Sequence, residues 1–156
     1  MKVHIWRSYR FAATDEAPGK ARKAVRFAVL AWEYDHDTAY TAALLTSELV
    51  TNAVRHAHGT RDCLIEFGVA AEVFTLAVID SGRGVPVPRQ PADDDEGGRG
   101  LALVAALAAD YGSRPVDDGK AVFFRLKVSP VTRPVYEREC RGAFAPSASL
   151  LIAALA

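Results

Sequence analysis

The chain has 156 residues, half of them apolar and 24% charged, which is material for one folded domain with a real core and excludes wholesale disorder. Nineteen basic residues balance nineteen acidic ones, so the charge excess of a nucleic-acid binder held by phosphate neutralisation is missing. No apolar run reaches the roughly 20 residues of a membrane span, the start MKVHIWRSYRF lacks a secretory h-region, and Cys63 and Cys140 stand too far apart for a zinc knuckle or a disulfide framework; the chain reads as cytoplasmic, with two reduced thiols.

Residues 2–11 alternate loosely, with Val3, Ile5, Tyr9 and Phe11 apolar, and predict an edge strand that can pair between subunits of a homodimer. Thr14 and Asp15 are the expected caps of a first helix, with Pro18 in its first turn. Its apolar positions are Ala21, Val25, Ala28, Val29 and Trp32, while Lys20, Arg22, Lys23 and Arg26 make a solvated basic side. Asp35 and Asp37 offer N-caps for a second helix running to about His58, with Gly59 just beyond it. That helix has an apolar face of Ala42, Leu45, Leu49 and Ala53. Residues 63–70 and 73–80 predict two strands joined by a tight turn at Ala71 and Glu72.

Residues 81–100 are rich in Gly, Pro and Asp and read as a long loop of the functional kind. A third helix is expected from Leu101, LALVAALAADYG, apolar enough to be largely buried. A short strand near 113–116 and a final strand over 120–128 follow. Beyond Ser129 come Pro130, Pro134, Pro146 and the apolar stretch SLLIAALA, expected to dock as a short amphipathic helix on the domain or on a partner. The chain therefore divides at 1–128 and 129–156. Strands paired by hairpins, with helices gathered elsewhere, predict an α+β two-layer sandwich: a mixed, mostly antiparallel sheet with helices on one face.

Three segments carry candidate chemistry. In SELVTNAVRHA (47–57), Glu48 and Asn52 lie one helical turn apart on one face. A carboxylate there can polarise a water or hydroxyl, and an amide oxygen can hold a hard cation such as Mg²⁺; an ordinary polar helix face is the alternative. In IDSGRG (79–84), Asp80 closes an apolar strand, and Gly82 and Gly84 let the backbone turn and approach a ligand. An ionised Asp accepts a hydrogen bond from an exocyclic amine such as that of adenine; a strand-ending Asx turn is the alternative. In EGGRGLALV (96–104), glycines lead into a helix start, where backbone N–H groups and the helix dipole favour phosphate. It is neither a Walker A loop, having no GKS or GKT, nor a Rossmann fingerprint, since it follows a loop; a flexible loop that only caps a helix is the alternative.

The order of these segments resembles the GHKL (histidine-kinase-like) ATPase superfamily. SELVTNAVRHA is similar to its N box, DSGRG to its G1 box and GGRGLALV to its G2 box, over residues 3–128. Within it, ELVTNAVRHA is similar to the anti-sigma-factor serine/threonine kinase branch, of the stand-alone actinomycete type. The resemblance implies a Bergerat-type sandwich that binds ATP and Mg²⁺. Asn52 would ligate the Mg²⁺ and Glu48 would be the catalytic base. Asp80 would take the adenine amine over a floor shaped by Gly82 and Gly84, and Gly98, Arg99, Gly100 and Leu101 would wrap the phosphates. Arg55 would lie near the pocket, His56 would end the polar stripe, and residues 85–97 would form a lid.

There are departures. In DDGKAVFF, Ala121 stands where the family places a threonine of the site, and the lid carries Asp93, Asp94, Asp95 and Glu96, which solvation accounts for better than a second metal. The function implied is an anti-sigma-type regulator of transcription that binds a sigma factor or, as a serine/threonine protein kinase, phosphorylates an anti-anti-sigma antagonist, without touching nucleic acid or membrane. The alternatives are a non-catalytic nucleotide-binding interaction module and a structural dimerisation domain with chance glycines.

Overall fold

The structure, a computed structural model, describes residues 5–56, 62–80, 96–116 and 119–131. Strands β1 (Ile5–Ala12), β2 (Asp62–Ala70), β3 (Val73–Asp80), β4 (Asp110–Val116) and β5 (Gly119–Lys127) form one sheet in the order β1-β2-β3-β5-β4. Helices α1 (Ala17–Ala31) and α2 (His36–His56) connect β1 to β2, and α3 (Glu96–Leu107) lies between β3 and β4 in sequence. The α+β sandwich holds, but every ladder is antiparallel, so the sheet is not mixed. The reason is topological. β3 and β4 do run the same way, yet β5 inserts between them and pairs antiparallel with both.

The period-2 pattern of the strands sets the core. Ile65, Phe67, Val69, Phe74, Leu76, Val78, Phe124 and Leu126 share the sheet face turned to the helices. They meet Ala17, Ala21, Val25, Ala28 and Val29 of α1 and Ala39, Ala42, Leu45, Leu49 and Val50 of α2. Each fully buried Phe, Leu or Val contributes about 1.5–3 kcal/mol. Trp32 closes α1 and packs on Phe67 at 5.8 Å between ring centroids. The opposite face carries the smaller cluster of Ala77, Phe123 and Ile79, with Arg114 and Arg125 over the Phe123 ring.

Local chemistry sets the element ends. Asp35 Oδ1 accepts the Thr38 N–H at 2.6 Å and caps α2 as expected; that bond holds the Asp35 carboxyl below its ordinary value. Thr14 and Asp15 do not cap α1. The helix starts from Glu16 without a side-chain cap, and the Ala17 N–H donates to the Thr14 carbonyl in the preceding backbone turn. Pro18 sits in the first turn, as expected. Ala71 (φ 50°) and Glu72 (φ 64°) form the β2–β3 turn with two left-handed residues, the backbone of a primed hairpin turn without its usual glycine. Gly59, like His58, is outside the described residues.

The third helix departs most from expectation. It begins at Glu96, so Gly97, Gly98 and Gly100 belong to it rather than preceding it, and it stops at Leu107, leaving Asp110–Gly112 to β4. It is not largely buried: Leu101 is 44% and Leu107 45% exposed, and Val104 is its one fully buried large side chain among the described residues. α3 offers only a narrow line of residues to the rest of the fold, so apolar composition does not bury it. After β5 the Val128 N–H donates to the Glu72 carbonyl and the Val131 N–H to the Glu33 carbonyl, carrying the chain past the end of α1.

Candidate functional site

α2 is the scaffold. Its buried hydroxyls are satisfied internally: Thr46 donates to the Ala42 carbonyl at 2.7 Å and Ser47 to the Leu44 carbonyl at 2.8 Å. Burying them therefore leaves no unpaired polar atom. Glu48 and Asn52 stand half-buried one turn apart. Glu48 reaches α3: a Cβ built on Gly100 would collide with Glu48 Oε2 and lie 3.3 Å from its Cδ. Only a glycine lets the carboxylate approach the backbone of α3 here, near the amino end where the helix dipole favours negative charge.

Asp80 also lies close to α2, at Ala53. It is the last residue of β3, 5% exposed, and alternation puts its side chain on the helix face of the sheet with Leu76 and Val78. Asp80 lines a small depression with Ala13, Ala53, Asp62, Cys63 and Ile79. Burial, and then the charge of Asp80, pushes the Cys63 thiol up to about 11. Ala53 is the neighbour of Asn52, so one stretch of α2, Glu48–Ala53, touches both α3 and the Asp80 depression.

The ladder register shows which residue of β5 stands opposite Asp80. Asp80 pairs with Lys120, and Ile79 pairs with Ala121. Residues directly opposite in an antiparallel pair share a face. Lys120, not Ala121, therefore stands on the side of Asp80, and Ala121 turns to the opposite face with Ile79. Sequence reasoning missed Ala13, Ala53, Cys63 and Lys120. The period-2 pattern of residues 63–70 already put Cys63 on the core face, whereas Lys120 needed the register across β3 and β5.

The remaining candidates divide as follows. Gly82, Gly84, the lid over 85–95 and Asp93, Asp94 and Asp95 fall outside the described residues. Gly98 lies in the first turn of α3. Arg99 and Leu101 are exposed and Gly100 is buried. Arg55 and His56 are exposed at the end of α2. Among the described residues, no three or more His, Cys, Asp or Glu side chains gather as a metal site, and no helix is long and apolar enough to cross a membrane.

An α+β sandwich with a polar helix pair, a strand-terminal buried aspartate and a glycine-bearing helix beside them belongs to one class. The chain is a member of the histidine kinase-like ATPase domain family, whose model matches residues 11–126; membership implies ATP binding. Among solved structures, the RsbU and RsbW domains of Rv1364c from Mycobacterium tuberculosis align with a TM-score of 0.64 and 21% identity over 85% of this chain. This chain spans 34% of that structure's length, and the likeness is one of fold. The histidine kinase domain from the Erythrobacter litoralis EL346 blue-light activated histidine kinase aligns with a TM-score of 0.49 and 23% identity, over 76% of this chain and 65% of that one. No curated protein matches the chain.

Proposed function

We propose that this domain is an anti-sigma-type regulator that binds Mg²⁺-ATP between α2, the end of β3 and the start of α3, and transfers the γ-phosphoryl group to a serine of an anti-anti-sigma antagonist. The observation that carries it is the reach of α2: Glu48 meets the Gly100 backbone of α3 while Ala53 lines the Asp80 depression. In this reading base, metal ligand and adenine acceptor would be strung along one helix and the strand end beside it. Asp80, buried at 5% exposure, supplies an acceptor for the adenine amine. Asn52 would supply an amide oxygen to Mg²⁺, which would neutralise phosphate charge when bound. Gly82 and Gly84 would shape the purine floor, and Gly98, Arg99, Gly100 and Leu101 would face the phosphates.

In the transfer, the serine oxygen attacks the γ-phosphorus, its proton passes to Glu48, and the bond to the ADP oxygen breaks. A sigma factor is the further partner in this reading, with a second copy of the chain paired along a sheet edge.

Thermal shift and calorimetric titration with ATP, ADP and GTP, each with and without Mg²⁺, test it. A nucleotide at a hundred times its Kd should stabilise the fold by about 2.7 kcal/mol, a Tm rise of about 5–10 °C for a chain of this size. Asn52→Ala should abolish the Mg²⁺-dependent part of binding, and Asp80→Asn should weaken ATP more than GTP. Equal loss for both nucleotides argues against the adenine contact. Binding without single-turnover transfer to a serine-bearing antagonist would instead make the domain a non-catalytic nucleotide-sensing module.

A further inference from the structure

Asp80 has a charged neighbour across the sheet. In the β3–β5 ladder it stands directly opposite Lys120, and residues so paired share a face with their Cβ atoms about 4.5–5.5 Å apart. That face is the one turned to the helices, because Val122, Phe124 and Leu126, at alternate positions after Lys120, belong to the main core. On the helix side of the three central strands, β2, β3 and β5, every position but two is apolar or the buried Cys63. The two are Asp80, 5% exposed, and Lys120, half-buried.

The pair sits at one end of the sheet. Asp80 closes β3 and lines the depression with Ala53 and Cys63, and Lys120 is the second residue of β5. A carboxylate only accepts hydrogen bonds and an ammonium only donates them. An apolar surface that ends in one acceptor and one donor side by side is the complement of a flat ring carrying a donor and an acceptor on adjacent positions. The Watson–Crick edge of adenine has that pattern: the N6 amine donates and N1 accepts. Guanine reverses it, since O6 accepts and N1 carries hydrogen. The long stem of a lysine lets its ammonium reach past its own strand to such an edge.

We propose, resting on the nucleotide reading above, that Lys120 is a base-reading residue: its ammonium donates to adenine N1 while Asp80 accepts from the N6 amine. The pair then selects adenine at two atoms rather than one. Guanine seated the same way would set its O6 against the Asp80 carboxylate and its N1 hydrogen against the Lys120 ammonium.

Calorimetric titration of the full chain with ATP and with 1-deaza-ATP, which has a C–H in place of N1, tests it. The parent should bind ATP about 10–100-fold more tightly than the analogue, the worth of one hydrogen bond to a charged group. Lys120→Met, which keeps the aliphatic stem, should lose that factor for ATP and bind the two ligands alike. Lys120→Val, suited to a strand, is the second variant and should do the same. Lys127→Met, exposed on the other face of β5, should match the parent. Lys120 variants that bind ATP as the parent does would overturn the proposal and leave the nucleotide site standing. An equal loss for ATP and 1-deaza-ATP would also overturn it, as would a loss that disappears with adenosine, which would put the lysine on the phosphates. A parent that binds no nucleotide would overturn the site and the role of Lys120 together.

Discussion

Replacing Gly100 by alanine adds one carbon to α3, and the three nearest atoms that carbon meets all belong to Glu48. Two terms then oppose each other. Alanine in a helix interior is better than glycine by about 0.8–1.0 kcal/mol. The collision with Glu48 Oε2 forces that side chain toward a poor rotamer, at about 0.5–1.5 kcal/mol. The single variant should therefore unfold within about 0.5 kcal/mol of the parent. In a Glu48→Ala background only the remote Cβ remains, 3.5 Å from the new methyl and in ordinary contact. There Gly100→Ala should stabilise by about 1 kcal/mol. The cycle should thus show a coupling of about 0.5–1.5 kcal/mol, readable by urea unfolding followed through Trp6 and Trp32 with an unchanged m value. The same Gly100→Ala effect in both backgrounds would refute the contact between the carboxylate and α3. Under the catalytic role proposed for Glu48, phosphoryl transfer is a second readout: a carboxylate pushed off its position should lose transfer in the single variant even though stability is kept.

Gly68→Ala should cost about 1–3 kcal/mol by overpacking, since its Cβ would strike the Ile5 carbonyl and come to 2.6 Å from Trp6 Cδ2; Gly19→Ala, with open space around it, serves as the neutral-to-stabilising control in the same unfolding assay. Burial pushes the Glu66 carboxyl up. The folded state then binds the extra proton, and stability falls as pH rises from the ordinary carboxylate value through the raised one. Glu66→Gln should accordingly melt higher than the parent at neutral pH and converge with it in acid; a gap of one size at every pH would contradict this. With its thiol at about 11, Cys63 is thiolate in roughly one molecule in ten thousand at neutral pH. In Cys140→Ser protein it should react with a thiol reagent only as the fold opens, and rapid labelling of the native state would show that the depression is not closed over it.

The sequence by itself determined what depends on near neighbours along the chain. The stripe of Ala21, Val25, Ala28 and Val29, the cap at Asp35, the strand pair around Ala71 and Glu72, and the placing of Glu48 and Asn52 on one helix face are all set by periods of two or of 3.6 residues. Those periods do not say which elements touch. Only the tertiary structure set Gly100 against Glu48, put Lys120 rather than Ala121 beside Asp80, inserted β5 between β3 and β4, and left most of α3 in water despite its composition. Each of these follows from pairings between residues far apart in sequence, fixed by ladder register and helix packing, and a one-residue slip in that register turns every side chain to the other face.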